Sequence, residues 1–283
     1  MTHMGKNIIE QEQVVRELQS FLGDSPIFIH VPPKMENYII DVSDYISGDS
    51  RGARVSIFVG NGSSARLAVH GDRTRACMFE FILADYATVF CEMNHVACSP
   101  SLRGVQATVG LGSHFSLREE IRAESFFYSR CDVVLKGAGS SFKDVVRYRG
   151  SARSEIDMER AARHAASRTA SFLDARGVAG GETKVKWRGK VRVEKQASKA
   201  SAFQRHDAIV AGSLAQVDSA PILEIYTHDI SCKHSASIQR INPEQVFYFE
   251  SRGLDEKESR KEILDGFLAI HNPTEHTSVI ARP

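Results

Sequence analysis

What this sequence lacks narrows it first. No apolar run approaches the ~18 residues of a membrane span, and the first residues have no apolar core of a secretory signal. The five cysteines (Cys77, Cys91, Cys98, Cys131 and Cys232) are odd in number, scattered and never spaced CxxC. That argues against a disulfide framework and for a reducing, cytosolic setting. Neither sign of charge dominates: 36 Lys and Arg against 35 Asp and Glu leave a formal +1, so composition gives no case for nucleic acid or a membrane surface. The glycine-rich stretches "VGLGSH" and "GVAGG" fit neither the dinucleotide nor the P-loop signature. What remains, at 42% hydrophobic and 25% charged residues over 283 positions, is an ordinary globular chain with ample material for a core.

Three textures follow one another. In segment 1–25, apolar residues at Ile8, Val14, Val15, Leu18, Phe21 and Leu22 suit an amphipathic helix from Asn7 to Leu22, with Gly23 as its stop. From 26 to 241, short apolar stretches such as "IFIHV", "VSIFVG", "ACMFEFILA" and "DVVLKG" are punctuated by Gly, Asn, Asp and Ser. The one challenger is Ser154 to Gly177, whose first half has helical composition. In 242–283 the period turns helical again. Asn242 caps with Pro243 at the first position and Gln245 closing a capping box, and Gly253 stops the helix. Asp255 caps the next, Glu258 closes its box, Ile263, Leu264, Phe267 and Leu268 form its stripe, and Pro273 ends it. So many short strands without alternating helices exclude a doubly wound fold and leave a sandwich, a barrel or a β-solenoid. The clearest strand is "TKVKWRGKVRV", where Val185, Trp187, Gly189, Val191 and Val193 alternate with a ladder of cations from Lys184 to Arg192.

Several groups invite a chemical reading. Cys91, His95 and Cys98 hint at zinc, but structural zinc wants about four ligands in matched pairs, and Cys91 and Cys98 have opposite parity on a strand. The cation ladder could follow a phosphate backbone; with Trp187 on the other face, a solvated sheet face is the better reading. "DISCKHSASIQR" puts Cys232 and His234 on one face with Ile230, Ala236 and Ile238, facing a core or a partner. As a catalytic dyad the pair is poor, since Cα atoms at i and i+2 are ~6.6 Å apart with parallel side chains. Asp41, Glu80 and Asp132 form no carboxylate pair of the kind a β-helix carbohydrate-active enzyme needs.

Taken together, Thr183 to Leu268 resembles the SufB/SufD family of iron–sulfur cluster assembly scaffolds, SufD more than SufB. "VKWRGKVRVEKQA" is similar to the family's aromatic–x–Gly–x–Ile–x–Val segment. "FQRHDAIVAGSLAQVDSAPILEI" supplies Gln204, Ala215, Val217, Asp218, Pro221, Leu223, Glu224 and Ile225 of a second block. "DISCKHSAS" resembles the D-V-x-C-x-H-G-A-T hallmark, with Ser235 and Ser237 in place of Gly and Thr, and "QVFYFESRGL" the L-F-Y-L-x-S-R-G-L block. Lys233 and Ser235 flank His234 where SufB carries acids. The chain is short for the family.

The resemblance implies a right-handed parallel β-helix with a C-terminal helical appendage, and a scaffold rather than an enzyme. It implies pairing with a SufB-like subunit through the end of the β-helix and docking of a SufC-type ATPase on the tail, where Tyr248, Phe249, Arg252 and Leu254 are the expected contacts. Cys232 and His234 would be this chain's share of an iron–sulfur assembly site completed by the partner, with no cluster held stably by this chain alone. A divergent paralogue working as a homodimer is the alternative.

Overall fold

The computed structural model describes residues 27–46, 52–72 and 75–269; the helix expected over 7–22 lies outside them. Sixteen strands coil into a parallel β-solenoid. Odd-numbered strands, β1 (Ile27–Val31) to β15 (Gln216–Ile225), stack into one eight-stranded sheet, and even-numbered strands, β2 (Tyr38–Asp41) to β16 (Ile230–Arg240), into the other. A short helix, α1 (Ser43–Ile46), follows β2. Each strand pairs in parallel with the strand two positions on, so one coil is an odd strand, a turn, an even strand and a second turn.

The turn after each odd strand is built to one plan. A residue with positive φ stands there in each of seven coils: Lys34, Gly62, Tyr86, Gly112, Gly139, Arg168 and Lys199. Its N–H donates to a carbonyl of the next coil, as Gly62 to Asp85, Tyr86 to Leu111, Gly112 to Ala138 and Lys199 to Asp229. Glycine takes this left-handed geometry without a steric cost, while the four other residues accept about 1–2 kcal/mol each and are held by that hydrogen bond. One position on, Ser63, Ser113, Ser140 and Thr169 are buried and donate to turn carbonyls of Pro32, Ala84, Gly137 and Ala166. Backbone polar groups at the corners are thereby satisfied.

Along the strands the alternation is strict. In β13 (Lys184–Val193) the five expected core residues are buried between the sheets, and their neighbours face outward. The outward cations meet acids on adjacent strands: Arg188 sits 2.5 Å from Asp157 and 3.1 Å from Glu159, and Lys190 sits 2.7 Å from Glu224. This is the solvated sheet face, now with its counter-charges. The helical composition in the first half of Ser154 to Gly177 forms no helix, and the β reading of 26–241 holds there: Glu155–His164 is β11 and Ala170–Ala179 is β12. Ala and Arg content does not decide there because Met158, Arg160, Ala162 and His164 alternate inward, and pairing on both sides of β11 outweighs a weak propensity.

The core is not wholly apolar. His95 of β6 (Thr88–Ala97) meets Glu119 of β8 (His114–Ala123) at 3.2 Å, and Arg103 of β7 (Ser101–Val109) reaches the other ring nitrogen at 3.3 Å. Arg160 pairs with Glu119, donates to Ser129 at 2.8 Å, and lies 3.9 Å from Asp144 of β10 (Ser141–Gly150). All these residues are at most 2% exposed. Burial pushes the Glu119 pKa up, but Arg160 and His95 outweigh it and hold it at about 2. For Asp144 burial wins over Arg160, with Glu119 and Asp174 adding to it, and its pKa rises to about 7.

Two helices close the described chain. α2 (Pro243–Glu250) is capped by Asn242 through the Glu244 N–H rather than through a box with Gln245, and Gly253 follows it at positive φ. α3 (Glu256–Leu268) has the full Asp255/Glu258 box, and Asp265 ties it to Arg149 on the even sheet at 2.5 Å. No helix among the described residues is long and apolar enough to cross a membrane.

Candidate functional site

The solenoid ends at β15 and β16, each hydrogen-bonded on one side only, to β13 and β14 (Ala200–Val210). In register, Cys232 lies over Ala202, His234 over Gln204, Ala236 over His206 and Ile238 over Ala208. The lower four are buried, so the upper four point the same way, into the position a core residue would take. Among the described residues no further coil covers them, because the chain leaves the stack at Asn242. Cys232 is therefore half-buried and His234 exposed. The expected shared face is present: it turns inward, with Ile230 and Cys232 packed against the core, and lies open at the end of the stack.

The floor under this open end is polar and hydrogen-bonded. His206 Nε2 lies 2.8 Å from Tyr148 Oη and its Nδ1 lies 3.0 Å from Ser219 Oγ, while Trp187 stacks on its ring at 5.0 Å. Burial pushes the His206 pKa down to about 4, so the ring is neutral and uses one nitrogen as donor and one as acceptor. Gln204 donates from Nε2 to the Ile222 carbonyl at 3.3 Å, tying the last two coils across the core. Gly189 makes room for this: a Cβ there would stand 2.2 Å from Trp187 Cη2 and 2.6 Å from Gln204 Oε1. The rim is apolar and exposed, with Ile222, Ile225, Tyr226 and Ile238 each 41–50% accessible.

The Cys232 thiol is held protonated by partial burial, which pushes its pKa up against the opposing hydrogen bond from the Ala202 backbone. An iron or other soft metal ion would have to displace that proton on binding. Thiol and imidazole are two donors of the four an iron–sulfur species takes, and no group of three or more His, Cys, Asp or Glu able to hold a metal occurs among the described residues. The second candidate resolves otherwise. Cys91 and His95 are buried in the core and Cys98 is exposed just past the end of β6, so the three do not converge. No disulfide joins any of the five cysteines.

On the tail, Tyr248 is 55% exposed with Arg252 over its ring at 5.4 Å, whereas Phe249 and Leu254 are half-buried. Phe247, 72% exposed, is the most open large apolar residue of α2 and was not singled out from sequence; its place beside Tyr248, one position past the buried Val246, was the available signal.

A family model described as "SUF system FeS cluster assembly, SufBD core domain" matches residues 45–267. The chain belongs to the SufBD family. It is 37% identical over 81 residues to the iron–sulfur cluster assembly protein SufD of Escherichia coli K12, covering 29% of this chain and 19% of that protein. It is 32% identical over 104 residues to the SufBD family protein ycf24 of Galdieria sulphuraria, covering 37% and 47%. A Mycobacterium leprae SufBD family protein is 31% identical over 105 residues, covering 37% and 12%. The chain spans less than half the length of these curated relatives in each match.

Proposed function

We propose that this SufBD family member is a SufD-like, non-catalytic scaffold subunit working in the cytoplasm. Its open solenoid end pairs with a SufB-like subunit, and its α2–α3 tail docks a SufC-type ATPase. The observation that carries the reading is the placement of Cys232 and His234. They occupy inward core positions on the last strand, over a hydrogen-bonded floor and inside an apolar rim, with no strand among the described residues above them. Such a half-site has two soft donors and acquires the rest from whatever covers it. The iron–sulfur cluster is cargo, formed at the junction and passed on, rather than a group this chain keeps.

The test is His234→Ala and Cys232→Ala in the full chain, co-expressed with SufB-like and SufC-type partners. Iron and sulfide are measured in the purified complex, and thermal unfolding in the lone chain. His234 is exposed, so its removal leaves the lone chain's melting within about 0.5 kcal/mol of the parent, while cluster content in the complex collapses. Normal cluster loading of the His234→Ala complex refutes the assignment. A stable dimer of the lone chain, with the same dependence on His234, points instead to a homodimeric scaffold.

A further inference from the structure

Where the tail meets the solenoid, a groove of about 310 Å³ opens on the outer face of the even sheet. Glu120 and Arg122 of β8, Arg147 and Arg149 of β10, and Asp265 and Leu268 of α3 line it. Three guanidinium groups thus converge on one cleft, and the carboxylates around them are already engaged. Asp265 takes Arg149 at 2.5 Å and Lys261 at 3.2 Å. Glu120 lies 3.7 Å from Arg118, and Asp174 is divided between Arg147 at 2.7 Å and Arg205 at 2.8 Å. Arg122, exposed on the rim, makes no ion pair among the described residues.

Arg147 is the telling member. It is only 8% exposed, with its Nη atoms spent on Asp174 and on the Val146 carbonyl. Its Nε is buried and has no hydrogen-bond partner. A buried guanidinium N–H is normally matched by an acceptor, an anion or water; the Nε atoms of Arg118, Arg160 and Arg176 are buried without one as well. Guanidinium forks are also the side chains that best match the paired oxygens of a phosphate or carboxylate.

We propose that this groove binds a phosphate-type oxyanion, gripped by Arg122 and Arg149 at the rim and by Arg147 from the floor. The C-terminal end of α3 lines the opposite side, and the negative end of the helix dipole disfavours negative charge there, which places the anion toward β8. The proposal does not depend on cluster assembly: the groove lies on an outer sheet face, whereas Cys232 and His234 lie at the open end of the stack.

Free phosphate and the terminal phosphate of a nucleotide share this chemistry, so both serve as probes. Inorganic phosphate and ADP are each titrated calorimetrically into the full chain at low salt, with Arg122→Gln and Arg122→Lys beside the parent. Saturable binding is expected, weakened about tenfold or more by Arg122→Gln, and less by Arg122→Lys, which keeps charge but not the fork. Thermal melts confirm that both variants are folded. Binding of ADP alone identifies a nucleotide as the source, and binding of both identifies the phosphate itself. No saturation by either probe up to about 10 mM, or binding that Arg122→Gln leaves unchanged, overturns the proposal.

Discussion

Asp144 gives the sharpest physical test of the fold. Its carboxyl is 1% exposed, 3.9 Å from Arg160, and beside a Glu119 that takes the stronger share of that guanidinium. Burial lifts its pKa from 3.8 to about 7. An acid whose pKa rises on folding holds more protons in the native than in the unfolded chain between those values, so its contribution to stability falls as pH rises through that window. From about pH 5 to pH 7 the loss is on the order of 3 kcal/mol, at about 1.4 kcal/mol per pH unit. His164 and His206 act the other way. Burial lowers both to about 4, so they withhold protons the unfolded chain takes up below the ordinary histidine value, and they cost stability on acidification. The absolute pH profile therefore mixes opposed slopes, and the difference between parent and Asp144→Asn isolates one of them. Asparagine keeps the volume and leaves Arg160 its Glu119. Urea unfolding of both proteins at about pH 5 and about pH 8 should show the variant gaining on the parent by on the order of 3 kcal/mol at the higher pH. A difference between the two proteins that stays constant across those pH values refutes the account of Asp144 as a strained, buried acid.

Two further outcomes follow from packing and capping. Gly189→Ala places a methyl group 2.2 Å from the fully buried Trp187 ring and 2.6 Å from the Gln204 amide. It should cost about 1–3 kcal/mol in unfolding free energy, and an unchanged melting curve would show that the floor beneath β16 is loose. Asp255→Ala removes the side chain that accepts the Glu258 N–H at 2.7 Å and should weaken α3 by about 1 kcal/mol, seen as faster amide exchange in its first turn.

Legibility tracked the range of the interactions involved. The β13 alternation and the Asp255/Glu258 box are decided within ten residues of sequence, and the chain obeys both. The first half of Ser154 to Gly177 stayed ambiguous because helical composition is a weak preference, and the pairing of β11 and β12 with coils on either side is not local. The parity of Cys232 and His234 was legible, yet their exposure was not. It depends on which strand ends the stack, and on Gln204 and His206 lying 30 residues back in register. Equally invisible were the partners in the buried charge cluster, where His95 and Glu119 are 24 positions apart and Arg160 and Ser129 are 31. Coil lengths vary along the solenoid, so no fixed spacing marks such pairs.

The same periodicity that makes a core makes the site. His206 and His234 both point inward from even strands, and they differ in what lies above them. His206 has a closing coil, and its ring is buried, neutral and held by Tyr148 and Ser219. His234 has none, because Asn242 and Pro243 start a helix and carry the chain out of the stack. One more coil would have made Cys232 and His234 packing residues like Ala202 and Gln204 beneath them. Stopping the solenoid there leaves two metal-competent side chains in core geometry, on a strand paired on one side only, inside an apolar rim. Unpaired edges and exposed apolar rims are both unfavourable in a protein that stays alone. Under the proposed function, a covering subunit would relieve the edge and the rim together, and in the same act would supply the ligands that this half-site lacks.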